Sequence, residues 1–246
     1  MMKPHDLYRE VAFMLVIVVC VQITVFLLFY LLERLNPARP IVRPKGFELV
    51  WVLINAFAIT WANVAMYYYS PSGGVIDTGL PPVTAGLIYY LIYTFVAYWY
   101  HRMRHSNKFL WRYVHRFHHS APQMETTVAF YKHPTEYILN TAIVLSLAWV
   151  LSVPVEAVAL ALTIEGCLEC FHHSNIKIPK KYHWIGWFIQ TPEMHLIHHE
   201  YGQHRYNYAT CLWDTIFGTA RVSTKWNGRL GFKSSFDTYS HILLKK

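Results

Sequence analysis

Residues 11–32 read VAFMLVIVVCVQITVFLLFYLL, with no charged side chain among them. A run of about 20 apolar residues has the length of a helix that crosses a bilayer. Inside lipid, backbone amides must be satisfied by protein, which makes a run without strand-like alternation a helix. Four more apolar runs follow, at residues 48–69, 83–100, 137–152 and 155–171. The last two meet at Pro154 and are short. They read as a tight transmembrane hairpin, or as one span with a partner lying partly in the interface. The expected fold class is all-α, a polytopic membrane helix bundle of four to five spans. Residues 1–100 hold the N-terminal transmembrane helices. Residues 101–246 hold the remaining region, with the hairpin at about 137–171.

Charge orients this bundle. Arg34, Arg39, Arg43 and Lys45 follow the first run, whereas the loop after the second run has no Lys or Arg. Arg102, Arg104, Lys108, Arg112, Arg116 and Lys132 lie between the third and fourth runs, and ten more basic residues follow the fifth. Only Lys3 and Arg9 fall on the opposite side. The positive-inside rule makes the basic face cytoplasmic, with the C-terminus on it and the N-terminus outside. The net charge of +8 is thus explained by topology and anionic lipid, without a nucleic-acid partner. No cleavable signal is expected, because the first run is too long and lacks a small-residue cleavage site. Cys167 and Cys170 form a lone C-x-x-C inside an apolar run, so they read as buried thiols rather than a zinc or redox pair.

Histidine segregates in the same way. Thirteen of the fifteen lie between His101 and His204, all on the basic side or at its mouths. His5 and His241 stand apart. His101 and His105 end the third run four residues apart. His115, His118 and His119 form a His-x-x-His-His, and His195, His198 and His199 repeat it. His172 and His173 end the fifth run. Residues three and four apart share one helix face, with Cβ atoms about 5–6 Å apart. Neutral imidazole is the commonest metal ligand. So many on one membrane face exceed the needs of one ion, and the number favours two. A structural zinc site would bring cysteines. Imidazole-rich coordination of paired iron, with open positions for O2, fits the ligand set better. A metal pair at the mouth of a helix bundle can meet a lipid whose chain stays in the apolar interior.

The segments AYWYHRMRHS, LWRYVHRFHHS, KHPTE, FHHSN, TPEMHLIHH and NYATCLWDTIFGT, in this order over residues 97–220, resemble the fatty acid hydroxylase / sterol desaturase superfamily. That resemblance implies an integral membrane oxidoreductase with a histidine-ligated di-iron centre, which zinc can occupy by exchange. It implies a lipid substrate of sterol or fatty acyl type, hydroxylated, desaturated or oxidised with O2. It also implies electrons from a separate reductase or electron-transfer protein. The ligands it implies are His101, His105, His115, His118, His119, His195, His198 and His199, completed by His172 or His173. Two positions depart from the family pattern. Lys132 stands where Arg is common before His-Pro, and Ala209 stands where Gly is common after Asn207-Tyr208.

Three other residues are expected to support the centre. Glu169 lies three and four residues before His172 and His173, placed to accept a hydrogen bond from the non-ligating nitrogen of a ligand ring. The bundle is expected to carry a cytoplasmic, histidine-rich helical cap, which Asp214, in LWDTIFGT, anchors against it, and His133 lies in KHPTE. A metal transporter would carry ligands near mid-membrane, whereas the first three runs hold only uncharged polar residues such as Gln22, Asn55 and Thr94. A non-catalytic scaffold would lack ligands, and none is missing.

Overall fold

A computed structural model describes residues 4–40, 50, 53–54, 57, 79–209, 211–222 and 228–232. The described residues are helical, with one isolated bridge, Glu200 to Leu230, and no strand. The second apolar run lies outside them save for Val50, Leu53, Ile54 and Phe57.

Four long helices form the bundle: α1 (Pro4–Leu35), α2 (Pro82–Ser106), α3 (Pro134–Val150) and α4 (Val155–His173). Proline opens α2 and α3 at a first-turn position, where its missing N–H costs nothing. Among the described residues, two stretches are long and apolar enough to cross a membrane, Val16–Leu35 and Pro82–Ser106. Their outward residues, including Ile17, Leu28 and Leu31 on α1 and Val83, Leu87 and Leu91 on α2, are exposed and apolar. A surface of this kind suits lipid rather than water. Where the hairpin was expected, the structure has two helices, α3 and α4, with 17 and 19 residues, on either side of Pro154. At a rise of ~1.5 Å per residue they are ~26 and ~29 Å long, close to the hydrocarbon thickness.

Helix α4 is the hub, packed on both α1 and α2. Its buried face is small (Ala157, Ala159 and Ala161), so neighbouring backbones come close. At Gly86 of α2 a Cβ would sit 3.0 Å from the Ala157 carbonyl. At Gly166 it would sit 2.7 Å from the Gln22 amide nitrogen, and that amide donates to the Leu162 carbonyl at 3.2 Å. The polar residue inside the first span is thus satisfied by the backbone of α4.

Both α2 and α4 end, and α3 begins, at the same end of the bundle, where a cap of short elements closes it. These include a π turn at Trp111–His115, 3-10 turns at His118–Ser120, Thr126–Phe130 and Lys180–Trp187, and helices α5 (Pro192–His199) and α6 (Cys211–Ile216). The cap core joins Phe117, Met124, Val128, Tyr131 and Leu196. LWDTIFGT packs against α2 as expected. The Trp213 indole donates to Thr94 Oγ1 at 3.0 Å, and Phe217 stacks on Tyr98.

Glu33, in the last turn of α1, is fully buried and ties that end to the cap. Its carboxylate accepts from the Thr126 amide and hydroxyl and from the Asn175 amide, each at 2.9 Å. Asn175 also holds the chain beyond α1, through Ala38 and Arg39. Glu33→Ala would strand two buried amides, at a cost on the order of 3 kcal/mol. A clear loss of thermal stability is expected, with Glu33→Gln milder, as measured by melting of the purified protein. Unchanged melting in Glu33→Ala would remove this latch.

Candidate metal centre

Each cap element delivers its histidines by local geometry. The last turns of α2 carry His101 and His105. Asn107 then stops that helix and caps the next turn, accepting from the Phe109 and Leu110 amides at 2.9 and 3.1 Å. The π turn that follows widens the backbone and points His115 inward; such turns occur often at functional sites. In α5, Thr191 caps the N-terminus and Pro192 opens it, which puts His195, His198 and His199 on the side facing the ends of α2 and α4.

The nitrogens converge into two groups. His101, His105, His115, His119 and His198 form one, and His118, His173, His195 and His199 form the other, with donor atoms within 4.8 Å of one another in each. In the first, His101 Nε2 lies 2.8 Å from His115 Nε2, 3.1 Å from His198 Nε2 and 3.2 Å from His105 Nε2. In the second, His173 Nε2 lies 2.9 Å from His195 Nε2 and 3.2 Å from His118 Nε2.

The outer nitrogens decide what these contacts are. His101 Nδ1 donates to the Tyr208 carbonyl, His118 Nδ1 to Tyr131 O at 3.1 Å, His173 Nδ1 to Glu169 O at 2.9 Å and His198 Nδ1 to Tyr206 O at 2.8 Å. His115 Nδ1 donates to the Glu136 carboxylate at 3.1 Å. A carbonyl oxygen cannot donate, so the proton sits on Nδ1 and each Nε2 presents a bare lone pair. His101–His115, His101–His198 and His118–His173 are then acceptor-to-acceptor contacts, which repel unless a cation lies between them. Two ligands at right angles on one ion, each at ~2.1 Å, stand ~3 Å apart. The donor set therefore fits a metal ion in each group. Burial, the largest cause, holds the rings of His115, His119, His195, His198 and His199 well below the usual imidazole value, and that of His118 at about 3. They are neutral near pH 7, the form that binds metal.

Of the adjacent pair at the end of α4, His173 joins the second group. His172 instead lies 3.6 Å from the Glu169 carboxylate, in a smaller cluster with Glu169 and His173. Glu169 departs from expectation. Its backbone carbonyl, not its carboxylate, takes the His173 proton, and the carboxylate binds Lys132 at 2.8 Å. The loop before α3 carries a cation to it from 37 residues away, and an ion pair outcompetes a neutral ring. Lys132, at the position where Arg is common, is the partner of this carboxylate. His133 turns away to cap α3, accepting from the Thr135 amide at 3.3 Å. Asp214 acts one step back. It accepts from the Tyr208 and Ala209 amides at 2.8 and 2.9 Å and from the Thr219 hydroxyl at 2.7 Å, fixing the carbonyl that orients His101. Burial pushes its carboxyl up to about 6 against these bonds. Asn207 takes a left-handed φ of 54°, a conformation asparagine tolerates, and its side chain bridges Met194 and Arg221. Ala209 has no positive φ, so this position does not require glycine.

His204 donates to the His198 carbonyl at 2.8 Å and stacks near His105 outside both groups, and His183 binds Ile178 O away from them. The His5 side chain and His241 lie outside the described residues. The residue that the sequence reading missed is Glu136. It is buried, bonded to His115 and paired with Arg104. Its only sequence signal was its place in KHPTE.

A cavity of about 130 Å³ leads from the histidines into the bundle between α2, α3 and α4. Its walls include His101, His115, His118, His173 and His195 at one end and Tyr93, Ile143, Glu165 and Leu168 along the helices.

The family model described as fatty acid hydroxylase matches residues 86–219, more than half of the chain. An Arabidopsis thaliana protein named for Delta(7)-sterol-C5(6)-desaturase is 27% identical over 138 residues, covering 55% of this chain and 47% of its own. A very-long-chain aldehyde decarbonylase of Oryza sativa is 26% identical, covering 56% and 57%. A sphinganine C4-monooxygenase of Arabidopsis thaliana is 28% identical, covering 50% and 48%. The chain spans about half the length of the curated relatives it matches. No solved structure matches it. With the histidine motifs inside the matched region, the chain belongs to the fatty acid hydroxylase family, within the fatty acid hydroxylase / sterol desaturase superfamily.

Proposed function

We propose that the protein is a membrane-bound, O2-dependent di-iron oxidoreductase that hydroxylates, desaturates or oxidises a C–H bond of a lipid. The observation that carries this reading is the pair of inward-facing imidazole groups at the mouth of a bundle cavity, in a chain of this family. One ion is held among His101, His105, His115, His119 and His198, and the other among His118, His173, His195 and His199. When bound, the iron pair supplies O2 activation against an unactivated C–H bond. The protein's own part is positional. The Tyr131, Tyr206, Tyr208 and Glu169 carbonyls and the Glu136 carboxylate hold the rings in one tautomer. Burial of those rings keeps bulk water away, and the cavity walls align a chain segment beside them. Electrons come from a separate protein. The relatives are named for three different reactions, all on lipids or lipid-derived substrates, which supports the substrate class and leaves the bond acted on open.

Membrane association is further supported at the cap. Tyr182, Trp184, Trp187 and Phe188 are exposed beside Lys180 and Lys181, the aromatic and basic mixture of an interface belt. The cluster lies at the cytoplasmic face in this reading. Reporter fusions after Ser120 and Lys246 are expected to read cytoplasmic and one after Gly74 external; an external C-terminus would overturn the orientation.

The reaction itself is tested with purified, iron-loaded protein in lipid vesicles, a reductase system and 18O2, analysed by mass spectrometry. Reductant-dependent conversion of a lipid is expected, as label gain or as loss of two hydrogens. No conversion across sterols, fatty acyl lipids and long-chain bases would sink it.

A further inference from the structure

We infer that Glu165 recognises the polar end of the substrate, and that this end is a hydrogen-bond donor, the hydroxyl or ammonium of a single-chain lipid. The inference rests on reading the cavity as the lipid site. Apart from histidines, the ionic side chains on its walls are three carboxylates, Glu136, Glu165 and Glu169, and two cations, Arg104 and Lys132. Arg104 pairs with Glu136, and Lys132 with Glu169. Glu165 is the carboxylate left over. Among the described residues its one hydrogen bond comes from the Tyr90 hydroxyl, to Oε2 at 3.1 Å. Its other oxygen takes none, and the residue lines the cavity.

Position gives this acceptor its meaning. Glu165 lies eight residues before His173 on α4, ~12 Å deeper along the helix axis. An acceptor at that depth is costly, and ionisable side chains there face the protein interior with a partner or mark a substrate path. Here the cavity is the path, and a ligand's donor group supplies the missing partner. A free fatty acid carboxylate or a phosphate placed against Glu165 would meet a like charge there. The oxidised carbon is therefore remote from the polar end, by roughly the two helical turns between Glu165 and His173.

The test is equilibrium binding to the purified full-length protein, read by intrinsic tryptophan fluorescence, with four ligands of one chain length: octadecylamine, octadecanol, octadecanoate and octadecane. The amine and the alcohol are expected to bind about 10-fold more tightly than the acid and the alkane, the size of one well-made hydrogen bond to a charged acceptor. Glu165→Gln keeps an amide oxygen, so it should keep the alcohol and lose the advantage of the amine if an ammonium is the natural partner. Glu165→Leu should lose both and gain the alkane. Equal affinity for all four ligands in the wild type would overturn the inference without reference to any variant. So would an unchanged preference in Glu165→Leu. Because binding needs neither iron nor turnover, a flat binding profile beside intact 18O2-dependent conversion sinks this inference alone. A clear donor preference without conversion sinks only the proposed reaction.

Discussion

His118→Ala and His198→Ala are expected to lose metal and activity together while the protein stays inserted. The two residues serve different groups. His198 Nε2 faces His101 Nε2 at 3.1 Å, and His118 Nε2 faces His173 Nε2 at 3.2 Å. Each is held in place from behind by a backbone carbonyl. Wild-type protein should carry about two irons per chain, as two-metal sites do. Each variant should fall to about one or fewer, and turnover, which needs both, should drop below detection. The apolar outer faces of α1 and α2 are untouched, so insertion persists. His183→Ala is the control, since His183 lies outside both groups and binds a backbone carbonyl. Metal per chain by elemental analysis decides the matter. Full occupancy in both variants would defeat the ligand assignment, whereas zinc in place of iron would not, since imidazole sites accept either ion.

Glu136→Ala should have the second-largest effect, because one carboxylate serves two partners. It is 1% exposed, pairs with Arg104 and accepts from His115 Nδ1 at 3.1 Å. Removing it leaves a buried guanidinium without its counter-charge, a loss on the order of 3–5 kcal/mol. It also frees the tautomer of His115, and losing such a support behind a ligand typically costs roughly 10–100-fold in metal affinity. Glu136→Gln retains an acceptor for the ring but not the charge, so it should hold metal better than it holds stability. Melting temperature and competition with a chelator separate the two effects. Wild-type metal affinity in Glu136→Ala would reduce this residue to an ion-pair partner alone.

The histidine spacing made most of the centre legible. Residues at i, i+3 and i+4 share a helix face whatever the tertiary fold, so each triplet announced itself. The division into two groups was not legible, because it depends on which elements the cap brings together. His118 and His119, adjacent in one 3-10 turn, fall in different groups, His119 with His115 and His118 with His173. His172 and His173 could not be told apart, since adjacent residues differ by only about 100° around a helix whose rotation is set by packing. Glu136 was hidden in plain view: an acidic residue in the first turn of a helix is expected there for the helix dipole alone. Glu169 pointed the right way but met a lysine from a distant loop, and no local pattern encodes that encounter. The helices on either side of Pro154 were readable from hydropathy, whereas the close approach of α4 to α1 and α2 came from scattered small residues with no periodic signature.

The Glu33 latch bears on how the chain is built. Translation delivers α1 first, yet the amides that satisfy its buried carboxylate come from positions 93 and 142 residues later. Until Asn175 has left the ribosome the first span has no complete lock, and that moment comes just after the last histidine of α4 is made. Seating of the first helix is thereby tied to the start of the cap, before the histidines of α5 are made. A chain that ends before Asn175 leaves that carboxylate with the Thr126 donors alone.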